Sequence, residues 1–204
     1  MPFRFLAIGL IAGFLAACSG GADPKPTPSP SASAPTSTAP SRPSSPSRTG
    51  PLTTGPNVRA GEKPPVYPDL AKQHNANGAL AFAIYFMQSF DWGYATNDPF
   101  ILGSLALSSC KGCVTYRQSL AAVESKGERL TGGRLTPRSG QVLHEKFDFP
   151  ADYVLDMVYD EEPVMISGPD HPSATAAPAL TGHHTLVFVR WVGGQWRVAD
   201  VTAK

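Results

Sequence analysis

The stretch Tyr153-Val154-Leu155-Asp156-Met157-Val158-Tyr159-Asp160 alternates with a period of two. Successive side chains of a strand point to opposite faces, so Tyr153, Leu155, Met157 and Tyr159 share one side. Val154, Asp156, Val158 and Asp160 share the other. The tyrosine-bearing side reads as the core side, which leaves Asp156 and Asp160 as solvated charge on the outer face. Glu161-Glu162 are expected in a hairpin turn, and Pro163 separates this strand from Val164-Met165-Ile166. Beyond a Pro/Ala-rich loop, His184 to Val192 and Gln195 to Val201 read as two strands around Gly193-Gly194. A two-residue Gly-Gly link suits a type I′ turn, which needs positive φ at both positions.

Upstream the period changes. From Ala79 to Ala95 the residues Leu80, Ala83, Ile84, Met87 and then Asp91 or Tyr94 follow helical spacing, and Phe82, Phe86 and Phe90 widen the stripe. A helix so apolar must lie against a sheet. Asp69 is the expected N-cap at the start of the domain. Asp98, followed by Pro99 at a first helical position, predicts a second helix ending near Leu107. Ser109 is the expected cap of a third helix over Cys110 to Lys126, stopped by Gly127. Helices first and an antiparallel meander afterwards make an α+β domain, with N-terminal helices packed on a curved sheet.

The rest of the chain is of another kind. Of 21 prolines among the 204 residues, 12 fall between Ser19 and Pro65, together with 15 Ser or Thr and only one Leu and one Val. That composition buries too little apolar surface to offset the entropy of ordering, so residues 19–65 read as a disordered linker. In extended polyproline geometry it would reach on the order of 100 Å. Residues 66–204 are enough for one domain with a core. They hold 11 Lys+Arg against 14 Asp+Glu, so no basic face points to nucleic acid.

Residues 1–18 have the form of an export signal. Arg4 supplies the positive charge, and Phe5 to Leu15 form an apolar run shorter than the ~20 residues of a bilayer span. Leu15-Ala16-Ala17-Cys18 resembles the bacterial lipobox, which implies a lipid on Cys18 and a protein anchored at the extracytoplasmic face of the cell membrane. Partners would then be the membrane, through that lipid, and a cell-wall polymer or envelope protein.

Phe82, Tyr85-Phe86, Asn97-Asp98, Leu102, Cys110-x-x-Cys113, Gly127, Gly132-Gly133 and the closing Trp196-Arg197-Val198 resemble an actinobacterial family of envelope lipoproteins classed as domain of unknown function 6318. The likeness covers roughly residues 64–204. More loosely, helices leading into a sheet that closes on G-x-W-x-V look like the nuclear transport factor 2-like cone. Neither resemblance implies a catalytic residue or a cofactor.

Two cysteines remain beside Cys18, in a compartment that permits disulfides. Cys110 and Cys113 therefore read as a structural disulfide. The alternative is a redox pair, because a helix N-terminus lowers the pKa of a thiol. A zinc site would need four ligands, and neither a second C-x-x-C nor an H-x-x-x-H accompanies these two. His183-His184 point to opposite faces of a strand, so they cannot chelate one ion as a pair; with His171 a site is conceivable. Asp156 or Asp200 inside the mouth of a cone could act as a base. Tyr85, Trp92 and Tyr94 are the candidate ligand-pocket residues, with Trp92 expected to be exposed. A non-catalytic binding module is the leading reading. A thiol oxidoreductase and a pocket enzyme acting on a small hydrophobic molecule are the alternatives.

Overall fold

In a computed structural model the chain is described over residues 49–169, 172 and 174–204. The export signal, Cys18, the linker before residue 49 and His171 lie outside these residues. The long helix, α1, spans Ala76–Thr96. It starts three residues earlier than its periodicity implied because Asn75 caps it, accepting from the Gly78 N–H at 2.9 Å. Asp69 instead opens a 3-10 turn, Asp69–Lys72. Asn97, at φ 55°, ends α1 in the left-handed conformation.

Phe100–Gly103 forms α2, with the Phe100 N–H on Asp98 Oδ1 at 3.1 Å. It stops short of Leu107 because the next residues run beside the last strand instead. The third helix, α3, is Lys111–Ser125, ended by Gly127 at φ 66°. Its cap is Cys110 rather than Ser109, since the Cys113 N–H points at Cys110 Sγ from 3.2 Å.

Among the described residues seven strands follow: β1 Arg129–Gly132, β2 Leu135–Leu143, β3 Tyr153–Glu161, β4 Val164–Ser167, β5 Ala174–Ala177, β6 Leu180–Val192 and β7 Gln195–Ala203. They form two antiparallel sheets, ordered β1-β4-β5 and β2-β3-β6-β7. Gly193 and Gly194 take φ 60° and 81°, as the β6–β7 hairpin requires. β2 is an edge strand, interrupted by a register shift between Pro137 and Ser139. At the other edge, Leu105–Leu107 cover β7: Val198 donates to Leu105 O and accepts from the Leu107 N–H, both at 2.8 Å.

The α+β class holds, with helices packed on antiparallel sheets. The main core joins Phe82, Phe86 and Met87 of α1 and Tyr116 and Leu120 of α3 to Leu155, Met157, Val187, Val189 and Trp196 on one face of the larger sheet. The opposite face departs from the alternation's promise of solvated charge. Val154, Leu186, Phe188 and Ala199 form a second apolar cluster there, roofed by Phe147 and Phe149 from the segment after β2. Asp156, on that face, is only 1% exposed.

The domain boundary also moves. Residues 52–62, assigned by composition to the linker, pack on the domain. The Asn57 side chain donates to Tyr94 O and Leu130 O and accepts from the Gly132 N–H. Leu52 O accepts from the Trp92 indole N–H at 2.9 Å. Proline content hides these specific polar contacts, which supply partners to backbone groups of the domain. No described helix is long and apolar enough to cross a membrane.

Candidate functional site

The Cys110–Cys113 pair is a disulfide. Its two residues are 0% and 3% exposed, so neither sulfur is offered to an incoming thiolate. Asp200 does not face a mouth. Its Oδ1 accepts from the Gly112 N–H at 3.4 Å and from its own neighbour Val201 at 2.9 Å, placing a carboxylate at the start of α3.

The three aromatic candidates separate. Trp92 is 3% exposed rather than exposed, and its indole N–H is spent on Leu52 O. Tyr85 is buried, with its ring edge-on to Tyr67 at 5.1 Å. Tyr94 is partly buried. It lies edge-on to Phe90 and Tyr116, at 5.7 and 5.3 Å, and abuts Gly133. Gly133 has φ +68°, and a Cβ there would come within 3.0 Å of the Tyr94 ring and Val164. The glycine is what lets the ring lie against the backbone.

Around Tyr94 the sequence offers groups that its motifs did not single out. Arg134, 3% exposed, donates to both oxygens of Asp91, to Glu62 and to Asn57 O. These carboxylates hold its guanidinium pKa above its already high ordinary value. Beside it, Glu161 is not a turn residue but the last residue of β3, on the side of Tyr159. Burial pushes its carboxyl up to about 7, and no described side chain bonds it or pairs with it. Glu161 in turn helps to raise the phenols of Tyr94, Tyr116 and Tyr159, for each of which burial is the leading cause. A signal for Glu161 was present: Tyr153, Leu155, Met157, Tyr159 and Glu161 continue one period-two series.

An apolar cleft of about 170 Å³ opens next to this group, between Met87, Gln88 and Asp91 of α1 and Leu135, Pro137 and Tyr159 of the sheet. Deeper in, Phe82, Phe86, Tyr116 and Trp196 fill the space between helices and sheet. The deep cavity that a pocket enzyme would use is therefore occupied by side chains.

On the outer face, Asp156 accepts from Lys204 Nζ at 2.9 Å and lies 2.9 Å from His184 Nδ1. Burial alone would raise its pKa, but the bonds to Lys204 and His184 outweigh that and lower it. Asp160 is held low by Arg138 and by the Gly182 N–H. His183 and His184 sit on opposite faces, as adjacent strand residues must, with His183 against Tyr159 and His184 over Asp156. Among the described residues no three His, Cys, Asp or Glu side chains converge to hold a metal ion.

No curated protein matches the chain. Among solved structures it is similar to the intermembrane-space region of the chloroplast protein ARC6, at 13% identity and TM-score 0.44, over 64% of this chain and 97% of that one. It is also similar to a protein of unknown function with a cystatin-like fold from Nostoc punctiforme, at 11% identity and TM-score 0.30, over 59% and 86%. Residues 57–202, which run from the asparagine that binds Tyr94 O to the end of the last strand, match the family of unknown function DUF6318, and the chain belongs to that family.

Proposed function

We propose that the protein is a lipid-anchored envelope lipoprotein whose domain is a non-catalytic binding module. A lipid on Cys18 holds it at the extracytoplasmic face of the cell membrane, and the Pro-rich segment spaces the domain from that surface. Leu15-Ala16-Ala17-Cys18 after an apolar run supports the anchor, and a disulfide suits an oxidising compartment. The same reading takes the chain as actinobacterial and its helix-backed sheet as a nuclear transport factor 2-like cone, with the mouth at Tyr94 and Glu161.

The observation that carries the binding module is Glu161: a desolvated carboxyl with no cationic partner among the described residues, beside an apolar cleft. A cationic group of a wall component or an envelope protein would supply that partner, with the tyrosine rings around it. Two measurements test the proposal. Cys18→Ala should move the protein from the detergent phase to the aqueous phase, and retention in detergent removes the anchor. Ethylammonium should lower the carbon-13 titration midpoint of Glu161. A midpoint that does not move removes the mouth as a cation site.

A further inference from the structure

At the far end of the β3–β6 ladder from Glu161, aromatic rings gather at the surface. His74, in the turn before α1, stacks on Trp191 with ring centroids 4.9 Å apart and planes 6° from parallel. Trp196 stands edge-on to both, at 5.3 and 5.0 Å, and is itself 1% exposed. Two parallel rings are thus set on a buried third one. The His74 side chain keeps 53% of its surface, and Trp191 is partly exposed beside it.

The arrangement is held in place before any ligand arrives. The Trp196 indole N–H donates to Gln73 O at 3.1 Å, which fixes the residue preceding His74. Asp152 receives the Trp191 N–H on Oδ2 at 2.7 Å, and its own N–H donates to Val189 O at 2.9 Å. That carboxylate lies 3.7 Å from His74 Nε2, and no described residue bonds its second oxygen. The imidazole of His74, with one face covered by Trp191 and more than half of its surface open, therefore lies beside a fixed, half-exposed carboxylate acceptor.

We propose that the outer face of the His74–Trp191 stack is a stacking site for a neutral or amino pyranose unit of a polysaccharide. The face of an aromatic ring is electronegative and attracts the slightly positive C–H groups on the flat side of a sugar ring. A carboxylate at the edge accepts from a hydroxyl or an ammonium and fixes the sugar's orientation. The same carboxylate repels phosphate, which selects against nucleotides and phosphorylated polymers. Rigid rings and a pre-fixed acceptor lose little freedom on binding, so a shallow site can still hold a ligand. The site is separate from the Glu161 mouth and needs neither that reading nor the lipid on Cys18.

The test is a fluorescence titration of the full mature chain with soluble N-acetylglucosamine tetramer, since two of the three tryptophans, Trp191 and Trp196, lie against His74. A saturable change in tryptophan emission is expected, weakened about tenfold by His74→Ala and by Asp152→Asn. His74 and Asp152 are half exposed, so neither substitution opens the core, and thermal unfolding of each variant checks this. No saturable change with the folded chain overturns the proposal, as does equal affinity in wild type and both variants. Tighter binding of a single-stranded oligonucleotide than of the tetramer overturns it as well.

Discussion

The guanidinium of Arg134 meets the carboxylate of Asp91 side on through two parallel bonds, Nε to Oδ1 at 2.9 Å and Nη2 to Oδ2 at 2.7 Å. Glu62 closes the remaining side, and the Leu135 N–H shares Asp91 Oδ1 at 2.8 Å. Three segments far apart in the chain, around Glu62, Asp91 and Arg134, are thus joined at one buried cation. Removing one partner strands a buried charge, which costs about 3–5 kcal/mol. Asp91→Asn and Arg134→Ala should each lower unfolding free energy by that order in urea titrations. Arg134→Lys should recover little, because an ammonium cannot serve two carboxylates in one plane.

Asp156 links stability to acid. Its folded pKa is depressed, so its contribution is whole above the unfolded value of 3.8 and is lost as pH falls through the folded one. Asp156→Asn should cost about 1–3 kcal/mol at pH 7, since Lys204 and His184 keep access to water. The gap between wild type and variant should close toward pH 2. A gap that stays constant with pH would contradict the assignment.

Glu161 acts with the opposite sign. Its carboxyl ordinarily titrates at 4.5 and is raised to about 7 in the fold. Between those values the unfolded chain has released its proton and the folded chain has not, so stability falls as pH rises. At 1.36 kcal/mol per unit the penalty reaches about 3 kcal/mol above pH 7. Glu161→Gln should therefore match wild type at pH 4.5 and exceed it at pH 8. Equal stability at both values would place the carboxyl in water.

The disulfide should behave as a staple. With both sulfurs buried, its reduction potential should lie below about −300 mV, and alkylation of Cys110 should require denaturant. A potential nearer −120 to −230 mV, with Cys110 alkylated first in the folded chain, would mark it as an exchanging pair.

The elements legible in the sequence were those with strong periodicity or unambiguous punctuation. Phe82, Phe86 and Met87 announce α1, the alternation from Tyr153 announces β3, and Gly193-Gly194 announces the last hairpin. β2 was not legible, since Pro137, Ser139 and Gly140 carry little strand preference and the strand holds its place through pairing with β3. Asp156 misled because alternation tells which face a residue occupies, not whether another segment covers that face. Phe147 and Phe149 do so in part, and their spacing of two gave no warning of where they would fold. Around the candidate site, Arg134, Asn57 and Glu62 meet only through the tertiary fold, so no local pattern contains them. Trp92 followed the same logic: the partner of its indole N–H, Leu52 O, lies 40 residues away in the chain.

The two borders of the larger sheet have a consequence for how copies of this domain behave at close quarters. At β7 the backbone groups of Val198 are already taken by Leu105 and Leu107. At β2 a proline, which has no N–H to give, coincides with a break in register. Neither border presents a long, regular row of free amides and carbonyls, the feature by which one sheet recruits another into an open-ended assembly. Among the described residues, edge-to-edge pairing of copies through the larger sheet would therefore be interrupted at Val198 on one border and at Pro137 on the other.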